Sequence, residues 1–186
     1  MAHKFSPEKI GRLLREERYN ELAPLDLLKK AGLKEGDTFA DIGSGPGFFS
    51  LPASGIVGSG KVYAIDTQAE MLEALKKTNP PANVAAIISG ENSIPLEDGA
   101  ADFALVAFVL HETEDMVLFL KEVRRILKPK GTLLVIDWKK KKEEKGPPMA
   151  ERLSAASVTG LLKKAGFKGI KASTLNPSHY SIAAKA

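Results

Sequence analysis

The chain has 186 residues, 44% hydrophobic and 27% charged, the composition of a globular protein long enough to bury a sizeable core. It contains no cysteine, which excludes disulfides, thiolate metal sites and thiol nucleophiles together, and no other metal-ligand pattern takes their place. The net charge of +4 owes much to one lysine-rich stretch at 139–145, weak ground for a nucleic-acid partner, and none is expected. The longest apolar run, 103–110, is far short of a membrane span, and the opening MAHKFSPEK lacks a signal-peptide core. A cytoplasmic protein with no membrane partner is the expectation.

In chain order, residues 6–31 are expected to form one or two helices. Strands follow at 37–42, 61–66, 83–89, 101–107 and 131–137, each short, apolar and bounded by Gly, Pro, Asn or charged residues, the pattern of strands buried on both faces. Helices are expected between them at 47–54, 68–78 and 114–127, the last with Met116, Val117, Leu120, Val123 and Leu127 at helical spacing. The alternation predicts a parallel sheet with helices on both faces. After Trp138 the lysines and Gly146-Pro147-Pro148 break the pattern. A helix at 154–164 then leads to strands at 168–174 and 179–184 around Asn176-Pro177-Ser178. That turn makes an antiparallel hairpin, which an all-parallel nucleotide fold does not need. The predicted fold is α/β, a Rossmann-like doubly wound sheet of seven strands, mostly parallel with a C-terminal antiparallel hairpin.

The stretch DIGSGPGFFS at 41–50 sets Gly43, Gly45 and Gly47 at every second position between a strand and a helix. Such a turn lets the backbone pass close to a ligand in dihedrals that side chains forbid. Dinucleotide sites use G-x-G-x-x-G with the pyrophosphate at the helix N-terminus. Here the third glycine comes one residue early and Phe48 takes its place. Asp41 at the strand end would repel a pyrophosphate but attract an ammonium or sulfonium group. A plain tight turn is the simpler alternative. Asp66, followed by Thr67, ends the next strand, where a carboxylate can accept hydrogen bonds from both hydroxyls of an unphosphorylated ribose. It could equally cap the helix at Thr67 and Gln68.

These residues resemble the class I S-adenosylmethionine-dependent methyltransferases. The resemblance rests on DIGSGPG at 41–47, AID at 64–66 and SGENSIPLEDGAADFALVAFVLHE at 89–112, and covers 36–137 most strongly. The fourth-strand region looks most like the small-molecule branch related to ubiquinone and menaquinone biosynthesis methyltransferases. The resemblance implies S-adenosyl-L-methionine as cofactor and S-adenosyl-L-homocysteine as product. It assigns Asp41, Gly43, Ser44, Gly45, Gly47, Asp66, Thr67 and Phe108 to the cofactor, with Glu91 and Asn92 facing the adenine. Gly90 and Glu91 could also be a solvated turn. It further implies one domain over 1–186: a helical cap at 1–35, a cofactor-binding core at 36–137, and a loop, helix and hairpin at 138–186.

His111, just after the fourth strand, is the candidate catalytic residue, as a proton acceptor or as a group that only shapes the pocket. Glu112, Glu114 and Asp115 read as a charged helix start. Trp138 is a candidate for the acceptor pocket or a surface anchor, Tyr19 for a lid or for helix packing, and the lysine stretch reads as a solvated loop. His3 and His179 have no motif around them. No N/D-P-P-Y/F sequence follows the fourth strand, where Ala107-Phe-Val-Leu-His111 stands, so an amino group of a nucleic acid is not the expected acceptor. The expected function is methyl transfer to a small molecule, anionic if the lysines face it, by in-line displacement. A non-catalytic S-adenosylmethionine-binding or RNA/protein-interaction module is the alternative, and a dinucleotide oxidoreductase the third reading.

Overall fold

A computed structural model describes Gly11 and residues 15–186. His3, and most of the 6–31 helical expectation before residue 15, lie outside the described residues. From there the chain forms α1 (Glu16–Leu22), α2 (Pro24–Lys30), β1 (Thr38–Ile42), α3 (Ser50–Val57), β2 (Lys61–Asp66), α4 (Ala69–Lys76) and β3 (Val84–Ile88). Then come β4 (Ala101–Ala107), a 3-10 turn (Leu110–Glu112), α5 (Met116–Ile126), β5 (Leu127–Trp138), α6 (Ala155–Lys164), β6 (Lys168–Thr174) and β7 (His179–Lys185). Among the described residues no helix is long and apolar enough to cross a membrane.

The seven strands form one sheet in the order β3-β2-β1-β4-β5-β7-β6. Pairing is parallel from β3 through β5, and β7 runs antiparallel to both β5 and β6. The pleat explains how both faces are covered, because alternate residues of a strand point to opposite sides. In β4, Ala104 and Val106 join the core under α5 and α6, with Phe119, Leu120, Val158 and Leu162. Phe103 and Leu105 join the core under α2 and α3, with Leu28, Ala53 and Val57. The chain leaves β1 toward β2 and β3 and returns to its other side with β4 and β5. The crevice therefore opens at the C-terminal ends of β1 and β4, where a doubly wound sheet binds its ligand.

Local chemistry sets the element ends. Ala23 adopts a left-handed conformation (φ 42°) between α1 and α2, and Pro24 starts α2, the position where its missing N–H costs nothing. Asp115, expected in a charged helix start, is the N-cap of α5: its carboxylate accepts from the amides of Val117 and Leu118. Two boundaries differ from the sequence expectation. The helix after the glycine turn begins at Ser50 and not at residue 47, because Gly47 sits at φ 94° and cannot belong to a helix. β5 starts at Leu127, which the helical periodicity assigned to α5. Leu127 pairs with Ala101, and a register irregularity carries the strand past Pro129 and the left-handed Lys130.

Candidate active site

Gly43, Gly45 and Gly47 have φ of 73°, 54° and 94°, all in the region that side chains resist. The turn they form is tied to β2. The amides of Gly43 and Ser44 donate to the Ile65 carbonyl, and the Gly45 amide donates to Asp66 Oδ2 at 2.8 Å. Asp66 Oδ1 accepts from the Gln68 amide at 2.9 Å. Asp66 thus does cap the entry to α4, and it holds the glycine turn with its other oxygen. Gly43 also has no room for a side chain, since a Cβ there would stand 2.2 Å from Val109 Cγ2.

A cavity of about 810 Å³ opens over this turn. Of the residues the sequence assigns to a ligand, Gly43, Ser44, Gly45, Asp66, Thr67, Glu91, Phe108 and His111 line it. Asp41, Gly47 and Asn92 do not. Asp41 shares the sheet face of Phe39, which packs under α3, so its carboxylate meets the first residue of that helix and accepts from Ser50 Oγ at 2.6 Å. It is 1% exposed, and burial pushes its pKa up to about 7, with the nearby Asp66 charge adding and the Ser50 bond and Arg18 opposing. Gly47 packs on the α4 side, where a Cβ would lie 2.5 Å from Leu75 Cδ1. Glu91 accepts from the Glu114 amide at 2.8 Å and so joins the loop after β3 to the start of α5. Asn92 Oδ1 is buried with no hydrogen-bond partner among the described residues.

The other half of the cavity belongs to β4, β5 and β7. Phe108 leaves β4 in a left-handed conformation (φ 62°), a strained geometry that residues at ligand sites often hold. Trp138 and His179 are paired across β5 and β7, with ring centroids 4.3 Å apart, and Phe108 meets His179 edge-on at 5.1 Å. Trp138 therefore lines the cavity and does not anchor a free surface. Burial pushes the His179 imidazole down to about 4, helped by Arg18, Arg152 and Lys139, so the ring is neutral at neutral pH. Tyr19 packs its ring against Phe48 at 4.4 Å and does not line the cavity; its role is helix packing. Arg18 does line it, with its guanidinium over Phe48 at 4.4 Å and Phe108 at 5.2 Å. Desolvation lowers its pKa to about 10, so it keeps its charge.

The lysine-rich segment is solvent-exposed along most of its length, as expected of a solvated loop, but it is tied down from one side. The Arg152 side chain, 1% exposed, donates to the carbonyls of Lys139, Lys141, Lys145 and Pro147 and to the Glu143 carboxylate. The segment is thereby held so that 144–148 line the cavity, with Gly146 against the Trp138 indole. Of residues 139–145 only Glu144 and Lys145 line the cavity, alongside Glu112 and Glu151, so the lysines lend little support to an anionic acceptor. Arg152, His179 and Asp137 are the site residues that the sequence does not announce. Only Asp137 had a signal: like Asp41 and Asp66 it stands at the C-terminal end of a central strand.

Glycine turn, strand-end acid and open sheet edge together define a nucleoside-binding α/β site of the methyltransferase type. The methyltransferase domain family model matches residues 40–135, more than half of the chain, and the chain belongs to that family. The crystal structure of a SAM dependent methyltransferase from Aquifex aeolicus is 39% identical, with a TM-score of 0.92, over 98% of this chain and 99% of that one. Demethylmenaquinone methyltransferase of Staphylococcus aureus is 33% identical over 113 residues, 60% of this chain and 47% of that protein. The 2-phytyl-1,4-naphtoquinone methyltransferase of Trichormus variabilis is 32% identical over 116 residues, 60% of this chain and 51% of that protein. The chain spans about half the length of these curated relatives. S-adenosylmethionine is the cofactor of this class, and the site fits it: a carboxylate and glycine turn at one end, the half-buried Arg18 guanidinium of α1 on the wall, and a cavity of sufficient volume.

Proposed function

We propose that this protein transfers a methyl group from S-adenosylmethionine to a small-molecule acceptor by in-line displacement. The observation that carries the reading is Asp66: a buried carboxylate at the end of β2, on the wall of the cavity and bonded to the glycine turn itself. In this reading Asp66 accepts from the ribose hydroxyls, with Thr67 beside it, and Glu91 stands on the adenine side. Gly43, Ser44 and Gly45 let the backbone approach the amino-acid portion, and Arg18 supplies a charge for its carboxylate. Asp41 and Gly47 support the turn from behind, and they and Asn92 touch no ligand. The cofactor carries the activation of the methyl group in its positive sulfur, so the protein mainly positions the acceptor in line and excludes water.

The acceptor enters on the side of Phe108, Trp138 and His179, whose rings suit a flat apolar body. The relatives named for demethylmenaquinone and 2-phytyl-1,4-naphtoquinone make a substituted aromatic ring the class to try first.

Asp66→Asn tests the assignment. Its carboxamide cannot accept from the Gly45 and Gln68 amides and the ribose together, so S-adenosylhomocysteine should bind roughly ten- to a hundredfold more weakly by calorimetry. A folded variant with unchanged affinity would show that the ribose is held elsewhere.

A further inference from the structure

The surroundings of His111 bear on what kind of acceptor the site can use, given the methyl-transfer reading above. His111 lies in the 3-10 turn after β4, with its side chain 5% exposed. Its Nδ1 stands 2.9 and 3.1 Å from the two carboxylate oxygens of Asp137, at the end of the neighbouring β5. Asp137 is fully buried, and its Oδ1 also accepts from the Trp138 amide at 2.8 Å. An ionised carboxylate only accepts, so Nδ1 carries the proton and a neutral ring keeps its lone pair on Nε2. Nε2 lies 3.9 Å from Glu112 Oε1. Glu151, from the segment before α6, also faces the ring electrostatically, and Tyr180 of β7 faces Asp137. Burial alone would make this imidazole a weaker base. Asp137, Glu112 and Glu151 more than offset it and raise its affinity for a proton above the ordinary value.

We propose that Asp137 is a positioning residue that fixes His111 with Nε2 as the proton-accepting atom, and that the acceptor is therefore one whose reacting atom gives up a proton. That class comprises hydroxyls, protonated amines and acidic carbons; it excludes thioethers and tertiary amines, which need no base. In the transfer the acceptor's proton passes to His111 Nε2. The electron pair left on the acceptor atom forms the bond to the methyl carbon, and the carbon–sulfur bond breaks with its pair remaining on sulfur. The imidazolium is balanced by Asp137 until the proton passes to water.

Nitrogen NMR of the imidazole rings in the S-adenosylhomocysteine complex tests this without an acceptor, with His111→Gln identifying the signal. The wild type should show the Nδ1–H tautomer once the ring is deprotonated. In Asp137→Asn the carboxamide can donate to Nδ1, which moves the proton to Nε2 and lowers the titration midpoint, while cofactor affinity stays within a few-fold. With labelled S-adenosylmethionine, phenols and primary amines should accept the methyl and thioethers should not. Asp137→Asn should then lower kcat by about a hundredfold with KM for the cofactor unchanged. A wild-type Nε2–H tautomer, or equal transfer to thioethers, would overturn the proposal; the tautomer in the wild type decides even if the variant does not fold. Failure of the wild type to bind S-adenosylhomocysteine would instead overturn the methyl-transfer reading.

Discussion

Gly43→Ala is expected to destabilise the protein by roughly 2–5 kcal/mol and to abolish cofactor binding, the left-handed backbone contributing about 1–2 of this and the overpacking the rest. The new Cβ would stand 2.2 Å from Val109 Cγ2, at a residue whose φ is 73°. Val109 cannot retreat freely, because it follows the strained Phe108 and precedes the turn that carries His111. Displacing it would disturb the cofactor turn and the acceptor wall together. Gly160 in α6 has nothing within 4 Å of where its Cβ would go, so Gly160→Ala should be neutral or slightly stabilising and serves as the control. Urea midpoints of the two variants check this. A Gly43→Ala protein as stable as the wild type would mean that the turn can open without cost.

The second large effect is expected at Arg152. Its guanidinium gathers four backbone carbonyls and the Glu143 carboxylate, and Glu143 in turn is held well below the usual carboxylate range by Lys141, Ser178 and Arg152. Arg152→Met keeps the apolar stem but removes every donor. Glu143 is partly exposed and regains water, so the loss falls on the four carbonyls left without their charged donor. The damage should be local. Trypsin should cut the native variant within 139–145 at least about tenfold faster than it cuts the wild type, since cleavage follows the free energy of local opening. Equal cleavage would show that the segment holds its place without Arg152.

What the sequence revealed was whatever is encoded locally. The buried strands show as short apolar runs, and the bounds of β2, β4 and β6 follow from their flanking polar residues. The glycine turn and Asp66 are neighbours of their own strand ends and were legible for that reason. β5 was harder, because Leu127 obeys the helical period of α5 and becomes a strand residue only by pairing with Ala101. The position of Asp41 turned on strand pleat: one residue of alternation sends its carboxylate under α3 toward Ser50 and not into the cavity. Long-range partners left no trace at all. His111 and Asp137 are 26 residues apart, and they meet only because β4 and β5 are parallel neighbours whose ends lie side by side. His179 reaches the acceptor wall because the antiparallel register sets it opposite Trp138. Arg152 binds backbone carbonyls, which every sequence has, so nothing in its neighbourhood marks it.

Calorimetric titration of the wild-type protein with S-adenosylmethionine, S-adenosylhomocysteine and NAD tests whether this cavity is a site for S-adenosylmethionine. The first two should bind saturably at one molecule per chain and NAD should not bind, because the glycine turn is one residue short of the spacing that seats a pyrophosphate. Binding of NAD with neither S-adenosyl compound bound would contradict that assignment.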